Sequence, residues 1–400
     1  MGMKITTINS CTVASDIRHD MQTASVSLWL QNGARYEKET EHGFAHFLEH
    51  LVFKQTRQRS GKELSTRFEI MGGHVNAETG RELTAFHGLV PKHHAIDLLN
   101  LFIEMLTEPN FTHQDFMIER DVVLQELAML NDDPEEALED YATEQVWANH
   151  SMGQQILGSR HSLNNSQYDD MVRYLDTINK SRRLCIVTTG NVDHEAICSA
   201  CEKLDARSDS SHTATHTPTF TTTTSRLVIS AEQKHMTWVM PAAAYHDHNQ
   251  PAYEISNHIL AGGYDSRLYQ ALREQLGLVY SIDSRIDYYS DTGLWFIQTN
   301  TEKENSDETI RALEKTVLDL INNGPTEMEM QYARQHLQSS LLVEQDDLET
   351  HMDTMARDIF YTGKVISVDE RLEKLQQVSA HDVTSVLKKS WQNTSHFTAG

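Results

Sequence analysis

Apolar positions run along this chain in two rhythms, and their succession predicts its elements. Residues 24–30 (ASVSLWL) are strand-like and lead into a helix from about residue 43. Residues 74–90 read as extended segments, 92–106 as an apolar-striped helix and 112–130 as another. A short β-rich run at 183–189 (RLCIVTT) is closed by Gly190-Asn191. Beyond it the outline repeats: a strand-like 235–240 precedes a helix over 250–260. Then 266–276 reads as helix, 278–289 and 293–299 as strands, and 326–342 as helix. Strands arriving in groups between long helices favour α+β domains over a doubly wound sheet.

Between the two outlines lies a run dense in Ser, Thr and His, which reads as a linker over 208–225. It implies two structurally similar domains, 1–207 and 226–400, each a mostly antiparallel sheet packed with helices. A length of 400 residues fits two domains. No stretch approaches 18 consecutive apolar residues, and the start lacks an apolar signal core, so a cytoplasmic protein with no membrane partner is expected. The net charge of −24 makes nucleic acid a poor partner, because phosphate binding needs a basic surface. Cys11, Cys185, Cys198 and Cys201 are too few and dispersed for a disulfide framework. Cys198 and Cys201 spell CxxC within a helix-like run and read as structural.

Candidate chemistry begins at residues 41–53 (EHGFAHFLEHLVF), where nothing breaks a helix after Gly43. His46 and His50 stand four apart, so both imidazoles project from one face and can reach one cation. Glu49 places a carboxylate beside that cation, suited to deprotonating a water. This H-x-x-E-H order is the inverted zinc-peptidase motif. A catalytic zinc takes a third protein ligand. The segment 119–126 (ERDVVLQE) offers Glu119 and Glu126, seven apart and on nearly the same helical face, and the spacing alone leaves Glu126 a candidate.

Together, His46-Phe-Leu-Glu-His50-Leu-Val-Phe-Lys54 and Glu119-Arg-x-Val-Val-x-x-Glu126 resemble the pitrilysin-type metallopeptidase family. The nearest branch holds the β subunit of mitochondrial processing peptidase and its bacterial relatives. The resemblance implies one zinc per chain held by His46, His50 and Glu126, with Glu49 as base and Glu119 as a supporting acid. It extends to Gly73-His-Val-Asn76-Ala77, similar to the family's edge strand to which substrate adds by main-chain pairing. The block from Gly262 to Tyr280 resembles the one whose Arg and Tyr contact peptide carbonyls, here Arg273 and Tyr280. The second half carries no H-x-x-E-H, and His246, His248 and His258 read as non-ligands. His74, His87, His93 and His94 read as structural or exposed.

From that resemblance follows a zinc endopeptidase that hydrolyses peptides or unfolded segments inside an enclosed chamber. Because the chain holds both the zinc motif and the Arg/Tyr block, a self-sufficient homodimer is expected. The alternatives are the catalytic half of a heterodimeric presequence-processing peptidase and a non-catalytic scaffold.

Overall fold

In a computed structural model of the chain, residues 2–181, 183–204 and 216–400 are described. Residues 208–215 of the expected linker lie outside them. The remainder of that stretch runs without regular structure into a strand that begins at Thr224.

The first sheet contains β1 (Gly2–Ile8), β2 (Cys11–Ile17), β3 (Thr23–Leu30), β4 (His74–Thr79), β5 (Thr84–Pro91) and β6 (Leu184–Gly190). Its order is β1-β2-β6-β3-β5-β4, with β2 and β6 parallel and every other neighbour antiparallel. Both faces of its central strands are covered, which is why β3 and β6 are buried along almost their whole length, Ser25 and Ser27 included. On one face Ala24, Val26, Leu28 and Leu30 pack against helices α1 (Phe44–Val52), α2 (Gly61–Met71), α3 (Ala95–Thr107) and α4 (His113–Asp132). On the other, Ala14, Trp29, Ala85, Cys185 and Val187 meet Met352, Met355, Ala356 and Ile359 of the helix Leu348–Thr362.

A second sheet repeats this plan. Its strands are β7 (Thr224–Leu227), β8 (Lys234–Ala242), β9 (Ile282–Tyr288), β10 (Gly293–Thr301) and β11 (Ser395–Ala399), in the order β7-β11-β8-β10-β9. Only β11 and β7 run parallel among these pairs. Met236, Trp238, Trp295 and Ile297 face the helices Gln250–Ala261 and Ser306–Asn323. Val239, Leu294, Phe296 and Phe397 face Leu138, Ala142, Val146 and Trp147. The fold is therefore two similar α+β domains with mixed, mostly antiparallel sheets.

Two segments pack away from their own half of the chain. One compact unit comprises Met1–Met129, Gln154–His216 and Glu344–Val365; the other comprises Leu130–Gly153, Thr217–Val343 and Ile366–Gly400. The sequence reading kept 1–207 and 226–400 whole, and here it is corrected. An amphipathic stripe such as Leu138/Ala142/Val146 specifies that a sheet covers it, and not which sheet. Two further boundaries also differ. Residues 269–275 wind as a wider π-type helix, closed by Leu276 N–H donating to Ala271 O at 3.2 Å. The strand expected from 278 begins only at Ile282, which leaves Tyr280 in a loop. No helix among the described residues is long and apolar enough to cross a membrane.

The four cysteines are buried and joined in no disulfide, and burial pushes the Cys185 thiol up to about 12. Such thiols stay protonated and unreactive.

Candidate metal centre

Helix α1 buries Phe44, Phe47, Leu48 and Leu51, which turns His46 and His50 outward from the core on one face. Its start is fixed by Gly43 at φ 90°, where a Cβ would also come within 2.7 Å of Gly158 Cα. The buried Glu37 carboxylate caps this start, accepting from Gly43 N–H at 2.9 Å and Ala45 N–H at 2.7 Å. Burial pushes the Glu37 carboxyl up to about 8, against the pull of those amides. In the unfolded chain it titrates near its ordinary value of 4.5. Between these two values the folded state holds the extra proton, so stability falls as pH rises from about 4.5 to about 8 and then levels. Denaturant melts of the wild type against Glu37→Gln are expected to show a slope of up to about 1.4 kcal/mol per pH unit removed in that window.

The imidazoles of His46 and His50 lie with ring centroids 4.8 Å apart, and α4 delivers the Glu126 carboxylate to them. Glu126 Oε2 is 3.4 Å from His50 Nε2 and 3.9 Å from His46 Nε2. Tetrahedral zinc with bonds of about 2.0–2.1 Å sets its ligand atoms about 3.3 Å apart, close to these two nitrogen–oxygen separations, and all three ligand atoms lie within 4.8 Å of one another. Among the described residues this is the only group of three or more His, Cys, Asp or Glu side chains that converges in this way. Glu126 is 39% exposed, which leaves one side of the cluster open to a water or substrate.

Charge is arranged for a cation. Burial, with His50 alongside, pulls His46 down to about 4, so it is neutral and a ready ligand at physiological pH. For His50, burial lowers the value, but the Glu119 hydrogen bond and the charges of Glu126 and Glu49 outweigh it and raise it. The carboxylates that attract a proton there attract a metal ion equally. Burial raises the Glu49 carboxyl against a 2.5 Å hydrogen bond from Thr79 Oγ1 to Glu49 Oε2.

Glu119 lies behind His50. Its Oε2 accepts from His50 Nδ1 at 3.1 Å, while Oε1 accepts from Lys54 Nζ at 2.5 Å. Burial raises its value, yet these two bonds win and hold it ionised. A carboxylate on the far nitrogen fixes the ring's orientation and strengthens it as a ligand. Lys54→Met should free Glu119 and weaken zinc binding about 10- to 100-fold, read by chelator competition. Lys54→Arg should retain most of the affinity.

The structure places the remaining sequence-selected residues as follows. Asn76 and Ala77 lie on β4, the edge strand of the first sheet, paired among the described strands with β5 alone, through His87 and Phe86. In the second unit, Arg273 sits in the π-type helix, donates to the Tyr280 carbonyl at 2.6 Å and lies over the Tyr280 ring at 4.9 Å. Tyr280 itself is 79% exposed. His74 and His87 approach Glu349, His94 approaches Asp97, and His258 stacks on His336. Thr79, Lys54 and Glu37 were not selected as site residues from sequence. The signal for Thr79 was period-two alternation, which sets it on the same face as Val75 and Ala77.

Residues 12–160 match the family model described as insulinase (peptidase family M16), and residues 165–337 match the one described as the peptidase M16 inactive domain. An uncharacterized zinc protease of Rickettsia felis is 27% identical over 383 residues, spanning 95% of this chain and 93% of its own length. An uncharacterized zinc protease of Bacillus subtilis is 26% identical over 390 residues, 97% of this chain and 93% of that one. Among solved structures, a peptidase M16 inactive domain from Pseudomonas fluorescens superposes with TM-score 0.90 at 15% identity, covering 100% of this chain and 98% of that one. That likeness is one of fold. The first model covers the H-x-x-E-H helix and Glu126, and the second covers a half that lacks such a motif. Together they span most of the sequence, and the chain belongs to peptidase family M16.

Proposed function

We propose that this protein is a zinc-dependent endopeptidase with one zinc per chain, acting on peptides and unfolded polypeptide segments. The observation that carries the reading is the convergence of His46, His50 and Glu126, with Glu49 one residue from His50 on the same helix. His46, His50 and Glu126 would hold the zinc, which when bound would supply Lewis-acid chemistry, lowering the pKa of an attacking water from about 15.7 to about 7. Glu49 takes the proton from that water and returns it to the departing amine, a role helped by its raised value. Glu119 and Lys54 keep His50 in its ligating orientation. Substrate lies extended along β4 at Asn76 and Ala77, joined by main-chain hydrogen bonds. Arg273 and Tyr280 donate to its carbonyl oxygens, which makes recognition tolerant of sequence.

The chain acts as a self-sufficient homodimer whose enclosed chamber admits only such flexible substrates. The test is metal analysis with cleavage of an unstructured peptide by the purified chain. Stoichiometric zinc and chelator-sensitive cleavage support the enzyme, and the absence of both leaves a scaffold. Sedimentation mass in the same preparation decides the assembly: activity in a species of two identical chains supports the homodimer, and a monomer inactive without a second protein refutes it.

A further inference from the structure

Strand β4 ends the first sheet, and its residues alternate: His74, Asn76 and Glu78 are exposed, whereas Val75, Ala77 and Thr79 are half-buried. Helix α1 packs against it. Thr79 is the last residue of the strand, and its hydroxyl donates to Glu49 Oε2 at 2.5 Å. One side of Thr79 is fixed, since it pairs with Thr84 and the hairpin is closed by Gly80 N–H donating to Leu83 O at 2.8 Å. The opposite edge of β4 pairs with no described strand. So the strand offered to a peptide backbone ends on the hydroxyl that orients the carboxylate on α1.

From this juxtaposition we infer that Thr79 is a positioning residue that couples docking of a peptide along β4 to the orientation of Glu49. The inference rests on the peptidase reading above. A peptide backbone added to the free edge gives β4 pairing on both sides, which restrains the strand's end and with it the Thr79 hydroxyl. That hydroxyl holds one oxygen of Glu49 and leaves Oε1 for the proton of the attacking water. A carboxylate held by one bond in a fixed rotamer is in reach of that proton more of the time than a free one. Peptides long enough to pair along β4 therefore gain in kcat as well as in binding, whereas short peptides bind without ordering the base.

The test measures kcat and KM on a short peptide and on the same peptide extended by several residues, with zinc content determined for each protein. The wild type should show a higher kcat on the extended peptide. Thr79→Val should keep its zinc and melting temperature, lose about 10- to 100-fold in kcat on the extended peptide and a smaller factor on the short one. Affinity for the extended peptide, read by fluorescence anisotropy on chelated and inactive protein, should stay within about twofold of wild type. Thr79→Ser should restore both kcat and its dependence on length, because it keeps the donor. A Thr79→Val protein with full kcat, or one losing the same factor on both peptides, would overturn the coupling while the peptidase reading stands. A zinc-loaded wild type that cleaves neither peptide overturns both.

Discussion

Glu49→Gln is expected to give a folded, zinc-loaded protein whose peptide cleavage is slower by about 10²- to 10⁴-fold, the contribution of a positioned acid/base. The substitution preserves shape and the oxygen that accepts from Thr79, and it removes only the basic carboxylate. Glu49 is not among the three converging ligand atoms, so metal content should stay at wild-type level. Peptide affinity should persist too, since no main-chain pairing along β4 depends on the carboxylate. The signature is thus a fall in kcat with KM and zinc retained, measured by steady-state kinetics beside metal analysis. Native-rate cleavage by the glutamine protein would remove Glu49 from its role. Loss of zinc together with activity would instead recast Glu49 as a ligand.

The H-x-x-E-H helix was legible because its signal is local. His46 and His50 four residues apart on a helix share a face whatever surrounds them, and the apolar side chains between them mark the packed side. The third member of the converging group was less legible, because Glu119 and Glu126 lie on nearly one face of α4 and spacing cannot choose between them. Three-dimensional placement separates the two: seven residues along a helix amount to about 10 Å, so a single ring meets one carboxylate at each nitrogen. His50 Nδ1 takes Glu119 and Nε2 takes Glu126. Thr79 escaped notice since its partner is 30 residues away on another element. The exchanged helices 134–146 and 348–362 escaped for a similar reason, as a stripe of apolar residues carries no address. The π-type winding at 269–275 escaped because a run of seven residues with i→i+5 bonds is too short for its wider turn to show in the apolar rhythm.

A deeper loss is expected from His50→Ala, which removes one of the three proposed zinc ligands. Zinc should fall below stoichiometric occupancy and cleavage below detection, because two ligands fall short of the three protein ligands that hold a catalytic zinc. The structural cost beyond the metal is contained: Glu119 loses the Nδ1 donor but keeps Lys54 Nζ at 2.5 Å, so its buried charge is not left alone. Melting curves separate the two effects. A ligand that binds only the folded state adds RT ln(1 + [L]/Kd), about 2.7 kcal/mol when free zinc is 100 times Kd. Chelator should therefore lower the melting temperature of the wild type and leave that of His50→Ala unmoved. Acid should act on the wild type in the same sense as the substitution. Protonation of His50, whose value is raised by burial-resisting contacts with Glu119, Glu126 and Glu49, competes with the metal for Nε2, so zinc affinity falls as pH drops. Glu119→Gln should weaken that competition and the metal's hold together, since the carboxylate that draws a proton to His50 is the one that makes its far nitrogen a strong donor.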